Sequence, residues 1–437
     1  MASNKDRDLL THVGPGTPMG EFMRQYWMPA GVSSEFKADG DPVRLKLMGE
    51  ELIGFRDTNG RLGIMDHRCP HRCASLFFGR NEEGGLRCVY HGWKFDVDGN
   101  CLDMANVPPH QDFKHKVHAK AYKTAERNGL VWIYMGDQTK VPALPKIEAT
   151  LVAESDNNID MFMRECNWLQ ALEGDLDTSH ADLLHGGHRR FEQYDSGDLQ
   201  RYGAIHRDPD YDVIETDWGA MYGAYRPAGP GSTYWRIGQF LFPNWSITPS
   251  AAFGFQVYAR TWVPIDDTHS MSFRVVWKEG RVRGRSGARP MQSGSVLGNI
   301  KQKPNTTDWL GRNRLTANKE NDYLIDREVQ RTRTYTGIDG ISEQDQMVTE
   351  SMGPITDWDF EHLAPSDRMI TTIRRRLLNA MNEFHKSGEV PVARTPEIYY
   401  QARGGYFEAP EGRPMSEIYW KKLEETRVTL PYAVAAE

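Results

Sequence analysis

The chain carries no excess of positive charge: 53 Lys and Arg stand against 60 Asp and Glu, a formal net charge of −7. With no surplus of cations to neutralise phosphates, a nucleic-acid partner is excluded. No apolar run reaches membrane-spanning length, so no membrane association is expected. The opening Met1-Ala2-Ser3-Asn4-Lys5-Asp6 lacks the apolar core of a signal peptide, which leads to the expectation of a cytoplasmic protein. Cysteine is scarce, with five in 437 residues, and a reducing compartment keeps such residues as thiols rather than disulfides. What is present, 39% apolar and 26% charged residues, is the composition of a soluble globular protein. The length exceeds what one ordinary core organises, so two domains are expected.

Two of the five cysteines stand in a telling pattern, Cys69-Pro70-His71 and Cys88-Val89-Tyr90-His91-Gly92-Trp93. A [2Fe–2S] cluster with two thiolates on one iron and two imidazoles on the other needs this donor set. Neutral imidazoles leave the oxidised cluster nearly uncharged, so an added electron costs less than in an all-cysteine cluster. Such centres lie at roughly −150 to +300 mV, against roughly −400 mV for plant-type ferredoxins. Zinc also accepts Cys₂His₂, but its knuckles usually pair cysteine with cysteine and histidine with histidine. Here each knuckle carries one of each, which favours the cluster. Cys73 is close by, yet four ligands are already at hand, so it is expected to be a buried small residue. Cys101 and Cys166 are expected to be packed thiols.

From about Asp41 to Gly136 the chain reads as short strands separated by turns. Val43–Leu47, Leu52–Arg56 and Leu130–Tyr134 alternate or run apolar, and Asn59-Gly60 and Asp98-Gly99 mark hairpins. Pro142-Ala143-Leu144-Pro145 then punctuates the chain. Three regions follow: an N-terminal segment over 1–40 packing on the catalytic domain, an all-β cluster domain over 41–140, and a catalytic domain over 141–437. In the last, Asn167 to about His188 has helical apolar spacing, and strands are expected at Tyr234–Phe242, Phe253–Val263 and Ser270–Lys278. Arg281–Arg314 reads as a long surface loop, and Ser366–Lys386 as an amphipathic helix.

Inside the first of these helical stretches lies Asp177-Thr178-Ser179-His180-Ala181-Asp182-Leu183-Leu184-His185. Two histidines and one carboxylate bind Fe(II) on one face and leave the opposite positions for O₂ and substrate. Residues five apart diverge on a regular α-helix, so His180 and His185 meet at one metal only if the helix widens into a π turn or ends between them. The third ligand must come from elsewhere. The helix expected at Ile341–Ser351 offers Asp345, with Asp339 and Glu350 as alternatives.

Both motifs, in this order and at this separation, resemble the oxygenase (alpha) component of the Rieske non-haem iron ring-hydroxylating oxygenases. Leu10–Gly20, Tyr26-Trp27-Met28-Pro29 and Cys166–Gly174 are similar to the phthalate dioxygenase branch. The resemblance implies an α+β architecture, a β Rieske domain followed by a helix-grip catalytic domain of antiparallel sheet and helices. It implies homotrimers or stacked-trimer hexamers, and a reductase with FMN and a plant-type [2Fe–2S] cluster as electron donor. The implied reaction is cis-dihydroxylation of a phthalate-like aryl carboxylate with O₂ and electrons drawn from NADH. The alternative within the same family is a monooxygenase or O-demethylase acting on a phenoxybenzoate- or vanillate-like acid. In this reading Cys69, His71, Cys88 and His91 hold the cluster, and His180, His185 and Asp345 hold the iron. Asp177 links a cluster histidine, His71 or His91, of one subunit to the iron histidine His180 of the next. For the substrate carboxylate, Arg207 and then Arg236 are the candidates, with Arg260 a further arginine on or near the sheet. Cys73 stands where many members of the family carry glycine.

Overall fold

The computed structural model describes residues 3–187, 190–195, 197–278 and 300–427. Ten strands come first: β1 (Trp27–Val32), β2 (Val43–Leu47), β3 (Glu50–Arg56), β4 (Leu62–Asp66), β5 (Arg80–Glu82), β6 (Gly85–Arg87), β7 (Trp93–Phe95), β8 (Cys101–Met104), β9 (Ala121–Arg127) and β10 (Leu130–Tyr134). They form an antiparallel six-stranded sheet, β1-β10-β9-β4-β3-β2, and a four-stranded sheet, β5-β6-β7-β8. The turns are built by aspartates: Asp57 accepts from the N–H groups of Asn59 and Arg61, and Asp96 from those of Asp98 and Asn100. A carboxylate bonded to backbone two residues on is the side-chain mimic of a turn, so these hairpins are locally encoded.

A start at residue 41 is too late for this sheet. β1 pairs along its length with β10 and closes one edge, so the chain joins the sheet from Trp27 onward. The two helices before it, α1 (Asn4–Thr11) and α2 (Pro18–Met23), lie against the second domain. Asn4 donates to Asp357 and Asp359, and the Val13 N–H to Asp267.

The second domain is built on an eight-stranded antiparallel sheet of β11 (Asn157–Arg164), β12 (Asp210–Thr216), β13 (Gly219–Gly229), β14 (Ser232–Leu241), β15 (Trp245–Ile247), β16 (Tyr258–Pro264), β17 (Ser270–Trp277) and β18 (Gly405–Pro410). Its order is β11-β17-β16-β15-β14-β13-β12, with β18 added to β14. The strand expected from Phe253 begins only at Tyr258, because Gln256 bonds the Ala251 N–H and the Thr248 carbonyl and folds 252–257 into a turn. Around the sheet lie α3 (Trp168–Leu176), α4 (Arg201–Ile205), α5 (Arg327–Thr332), α6 (Ile341–Ser351), α7 (Arg368–Ser387) and α8 (Met415–Arg427). α7 packs on β12, β13 and the two N-terminal helices, buries Met369, Ile370, Ile373, Leu377 and Met381, and ends at Gly388, whose φ of 77° supplies the left-handed cap. Of the expected surface loop, 281–299 lies outside the described residues, and 300–314 is irregular chain.

One continuous apolar core joins the two domains, with Trp132 of β10 stacked on Trp245 of β15 at 5.8 Å. A second, smaller core lies under the cluster loops. Among the described residues no helix is long and apolar enough to cross a membrane.

Candidate metal centres

The first centre is made by two loops that repeat each other. In one, the Cys69 N–H donates to the Ala74 carbonyl and the Cys73 N–H returns to Cys69. In the other, the Cys88 N–H donates to the Trp93 carbonyl and the Gly92 N–H returns to Cys88. The loops lift His71 and His91 side by side, ring centroids 4.4 Å apart, with His71 stacked on Trp93 at 4.3 Å. Cys69 and Cys88 lie buried beneath them. Burial pushes the Cys69 thiol up to about 12, and the neighbouring Cys88 adds to the rise. Two facing buried thiols beside a buried His91 Nδ1 that has no hydrogen-bond partner fit a group that binds thiolate and imidazole together.

The expectation that Cys73 is buried is corrected: its thiol is exposed. It occupies the position that Gly92 fills in the other loop, with φ of 60° against 76°. The left-handed conformation closes the turn and carries the side chain outward. Cys101 and Cys166 are buried free thiols.

The second centre forms where α3 breaks. The helix stops at Leu176, and Asp177 is extended, with φ −90° and ψ 98°. Its carboxylate accepts from both the N–H and the hydroxyl of Ser179, a local bond that competes with helix continuation. The stretch read as one helix is therefore two pieces, the second a π turn over Ala181–His185, and His188 lies outside the described residues. Within the π turn the five-residue spacing brings the two imidazoles to one side, ring centroids 5.1 Å apart.

Asp345 of α6 meets them. Its Oδ1 is 3.1 Å from Nε2 of His185 and 3.6 Å from Nε2 of His180, and one donor atom from each of the three lies within 4.8 Å of the others. The far nitrogens are also engaged: Nδ1 of His180 faces Asp177 at 3.5 Å, and Nδ1 of His185 is bonded to Oε1 of Gln344 at 2.7 Å. Burial would raise the Asp345 carboxyl, but His185 and His180 hold it well below the carboxylate range. Burial works against a charged His180 ring, yet Asp177 and Asp345 keep its pKa above the ordinary histidine value. Two Nε2 atoms and a carboxylate on one side, with both rings steered from behind, is the donor set for Fe(II) with positions left open. The alternatives to Asp345 are elsewhere: Asp339 is exposed, and Glu350 is engaged by the Glu165 N–H, Tyr323 and Gln346.

The arginines separate by partner. Arg207 lies between α4 and β12, off the sheet and exposed, donating to the Gly187 carbonyl at 2.6 Å. Arg260 is committed to Asp175 at 2.5 Å, and Asp175 also takes Ser246 and Trp262, which ties α3 to the sheet. Arg226 of β13 is paired with Asp182 at 2.7 Å. Arg236 of β14 is buried, donates to the Thr178 hydroxyl at 2.9 Å, and has no ion-pair partner among the described residues. Through Thr178 it stands beside Asp177 and two positions from His180. The roles of Gln344 and Thr178 escaped sequence reasoning; adjacency of Gln344 to Asp345 was the only local signal for the first.

Residues 26–122 match the Rieske [2Fe-2S] domain, and residues 133–402 match the LigXa C-terminal domain-like family. The chain is 43% identical over 431 residues to the 3-chlorobenzoate-3,4-dioxygenase oxygenase subunit of Comamonas testosteroni, covering 97% of this chain and 99% of that one. It is 34% identical to the phthalate 4,5-dioxygenase oxygenase subunit of Pseudomonas putida, covering 89% and 88%. It is also 34% identical to the 5,5'-dehydrodivanillate O-demethylase oxygenase subunit of Sphingobium sp. (strain NBRC 103272 / SYK-6), covering 91% and 85%. Dicamba monooxygenase bound to 3,6-dichlorosalicylic acid shares the fold with a TM-score of 0.54 at 15% identity, covering 84% of this chain and 99% of that one. The cysteine–histidine loops, the broken helix with its two histidines and these matches agree: the chain belongs to the Rieske non-haem iron oxygenases, as an oxygenase component of the aromatic dioxygenase and monooxygenase class, and its cofactors are a [2Fe–2S] cluster and a mononuclear iron.

Proposed function

We propose that this chain is the oxygenase component of a multicomponent system that cis-dihydroxylates an aryl carboxylate of the chlorobenzoate or phthalate type. The observation that carries the substrate class is Arg236, a buried guanidinium without a carboxylate partner among the described residues, next to the His180 loop. A planar cation of this kind binds a carboxylate with two parallel hydrogen bonds. Arg226, which shares the Arg236 face of the sheet through the register Ala224↔Arg236, is already neutralised by Asp182. This charge count favours one substrate carboxylate over two.

When bound, the cluster supplies single electrons and the iron supplies O₂ activation. We assign Cys69, His71, Cys88 and His91 as the cluster ligands and His180, His185 and Asp345 as the iron ligands. Arg236 holds the carboxylate so that the ring lies against the open side of the three ligands. Asp177 orients His180 from behind; its carboxylate is part-exposed, which suits a hydrogen bond to His71 or His91 of a neighbouring copy. The assembly required is a homotrimer or a stacked-trimer hexamer, and the donor an FMN and [2Fe–2S] reductase using NADH.

Oxygen uptake with product identification tests the reading, using 3-chlorobenzoate, the three phthalates and methoxylated benzoates. A cis-dihydrodiol or its catechol from a monocarboxylate is the expected outcome. The similarity to an O-demethylase supports the second reading, which loss of a methoxy group as aldehyde would establish instead. Absence of turnover with every one of these carboxylates would overturn both.

A further inference from the structure

Gln344 is buried in the first turn of α6, immediately before Asp345, and both of its amide atoms are used. Nε2 donates to the Ile338 carbonyl at 2.8 Å, and Oε1 faces Nδ1 of His185 at 2.7 Å. A carbonyl only accepts, so the amide cannot turn over without setting two acceptors against each other at Ile338. With Oε1 held toward the ring, Nδ1 of His185 is the nitrogen that donates to Gln344, and Nε2 is left as the nitrogen turned into the pocket, beside Asp345 at 3.1 Å. Two neighbouring residues of one helix thus grip opposite nitrogens of a single imidazole. The other histidine is backed differently, by the Asp177 carboxylate.

We propose that Gln344 is a positioning residue for the mononuclear iron, a neutral clasp that fixes the His185 tautomer and aims Nε2 at the metal. It does so without adding negative charge to a pocket that already holds Asp345 and Asp177. The inference rests on the assignment of His185 as an iron ligand. It explains why an amide, rather than a second carboxylate, stands at this point. A carboxylate on Nδ1–H makes Nε2 a stronger donor and draws the metal deeper into a neutralised, tighter site.

The test is Fe(II) affinity, measured by competition with a chromogenic chelator on the full chain with its cluster in place. Gln344→Leu, which removes the acceptor, weakens Fe(II) binding by about 10- to 100-fold, the usual effect of losing a hydrogen bond behind a metal ligand. Gln344→Glu binds Fe(II) more tightly than the parent. A residue that merely braces Ile338 leaves both variants weaker, because neither donates to that carbonyl, so the two roles part at Gln344→Glu. Should the leucine protein not fold, Gln344→Glu alone decides: parental or weaker Fe(II) binding overturns the proposal. His185→Ala is measured in parallel. Undiminished Fe(II) binding there overturns the ligand assignment itself, whereas loss of iron in His185→Ala beside parental affinity in Gln344→Leu overturns only the role of Gln344.

Discussion

The proposed cluster loops and the proposed iron pocket both gather imidazole nitrogens, but they draw on the chain at very different ranges. Each cluster loop closes on itself within six residues, with backbone bonds from Cys69 to Ala74 and from Cys88 to Trp93. The iron pocket needs a helix interrupted at Asp177, a π turn, and a carboxylate from Asp345 on a separate helix. The cluster loops stand over their own small core, so their geometry depends mainly on turn chemistry. The iron pocket depends on how α3 and α6 dock on the sheet, and that docking is fastened by buried charges such as Asp175 with Arg260. A centre built from local turns tolerates change elsewhere in the molecule; one built from packed helices does not.

The largest expected effect sets the two centres apart outright. His180→Ala, His185→Ala and Asp345→Ala each abolish turnover and mononuclear iron, while the electron paramagnetic resonance signal of the reduced Rieske cluster persists. Metal analysis beside the spectrum checks this. If His185→Ala also lost the cluster signal, the centres would not be independently built.

Next comes the sheet arginine against the loop arginine. Arg236→Leu forfeits hydrogen bonds to a charged group, about 1.5–3 kcal/mol, so kcat/KM for the aryl carboxylate falls about 10- to 100-fold. Arg236→Lys recovers part of the loss by keeping the charge without the planar fork. Arg207→Ala changes kcat/KM by no more than about 2-fold, as expected for an exposed side chain away from other features. A larger loss in Arg207→Ala than in Arg236→Leu would place the carboxylate at the loop instead.

The smallest effects separate the two cluster loops. Gly92→Ala forces a Cβ to within 2.7 Å of the Ala105 Cβ at a φ of 76°. The strain costs about 1–2 kcal/mol and lowers the urea midpoint at which the cluster's visible absorption bleaches. Cys73→Gly relaxes the equivalent left-handed residue, a gain of at most about 1 kcal/mol, so its urea midpoint is unchanged or higher, with the cluster potential retained. A bleaching midpoint lowered by Cys73→Gly would show that the thiol contributes to the cluster loop.

What was readable in the sequence follows the same division of range. The Cys-His pairing in each loop and the Asn-Gly and Asp-Gly turns of the first sheet were legible locally, whereas the spacing of His180 and His185 allowed either a π turn or a helix end, and the π turn is what forms. The outward direction of Cys73 does not, because it depends on a positive φ that a cysteine does not advertise. β13 carries no alternation to read: it is buried on both faces along most of its length and begins Gly219-Ala220-Met221-Tyr222-Gly223-Ala224. The pairing of Arg260 with Asp175 and of Arg226 with Asp182 joins residues far apart in the chain, so no local pattern distinguished these arginines from Arg236. The same holds for Gln344, whose partner His185 lies on another element.

The central claim is that the two centres work as one device through Asp177. Asp177→Asn keeps the size of the side chain and removes its charge and one acceptor. The variant is loaded with both metals, reduced, and mixed with 3-chlorobenzoate and O₂ in a stopped-flow instrument while cluster absorbance is followed. The account predicts full metal content, normal reduction by the reductase and a cluster that reoxidises far more slowly than in the parent, with product yield falling in step. Parental reoxidation in the fully metallated Asp177→Asn protein would contradict it.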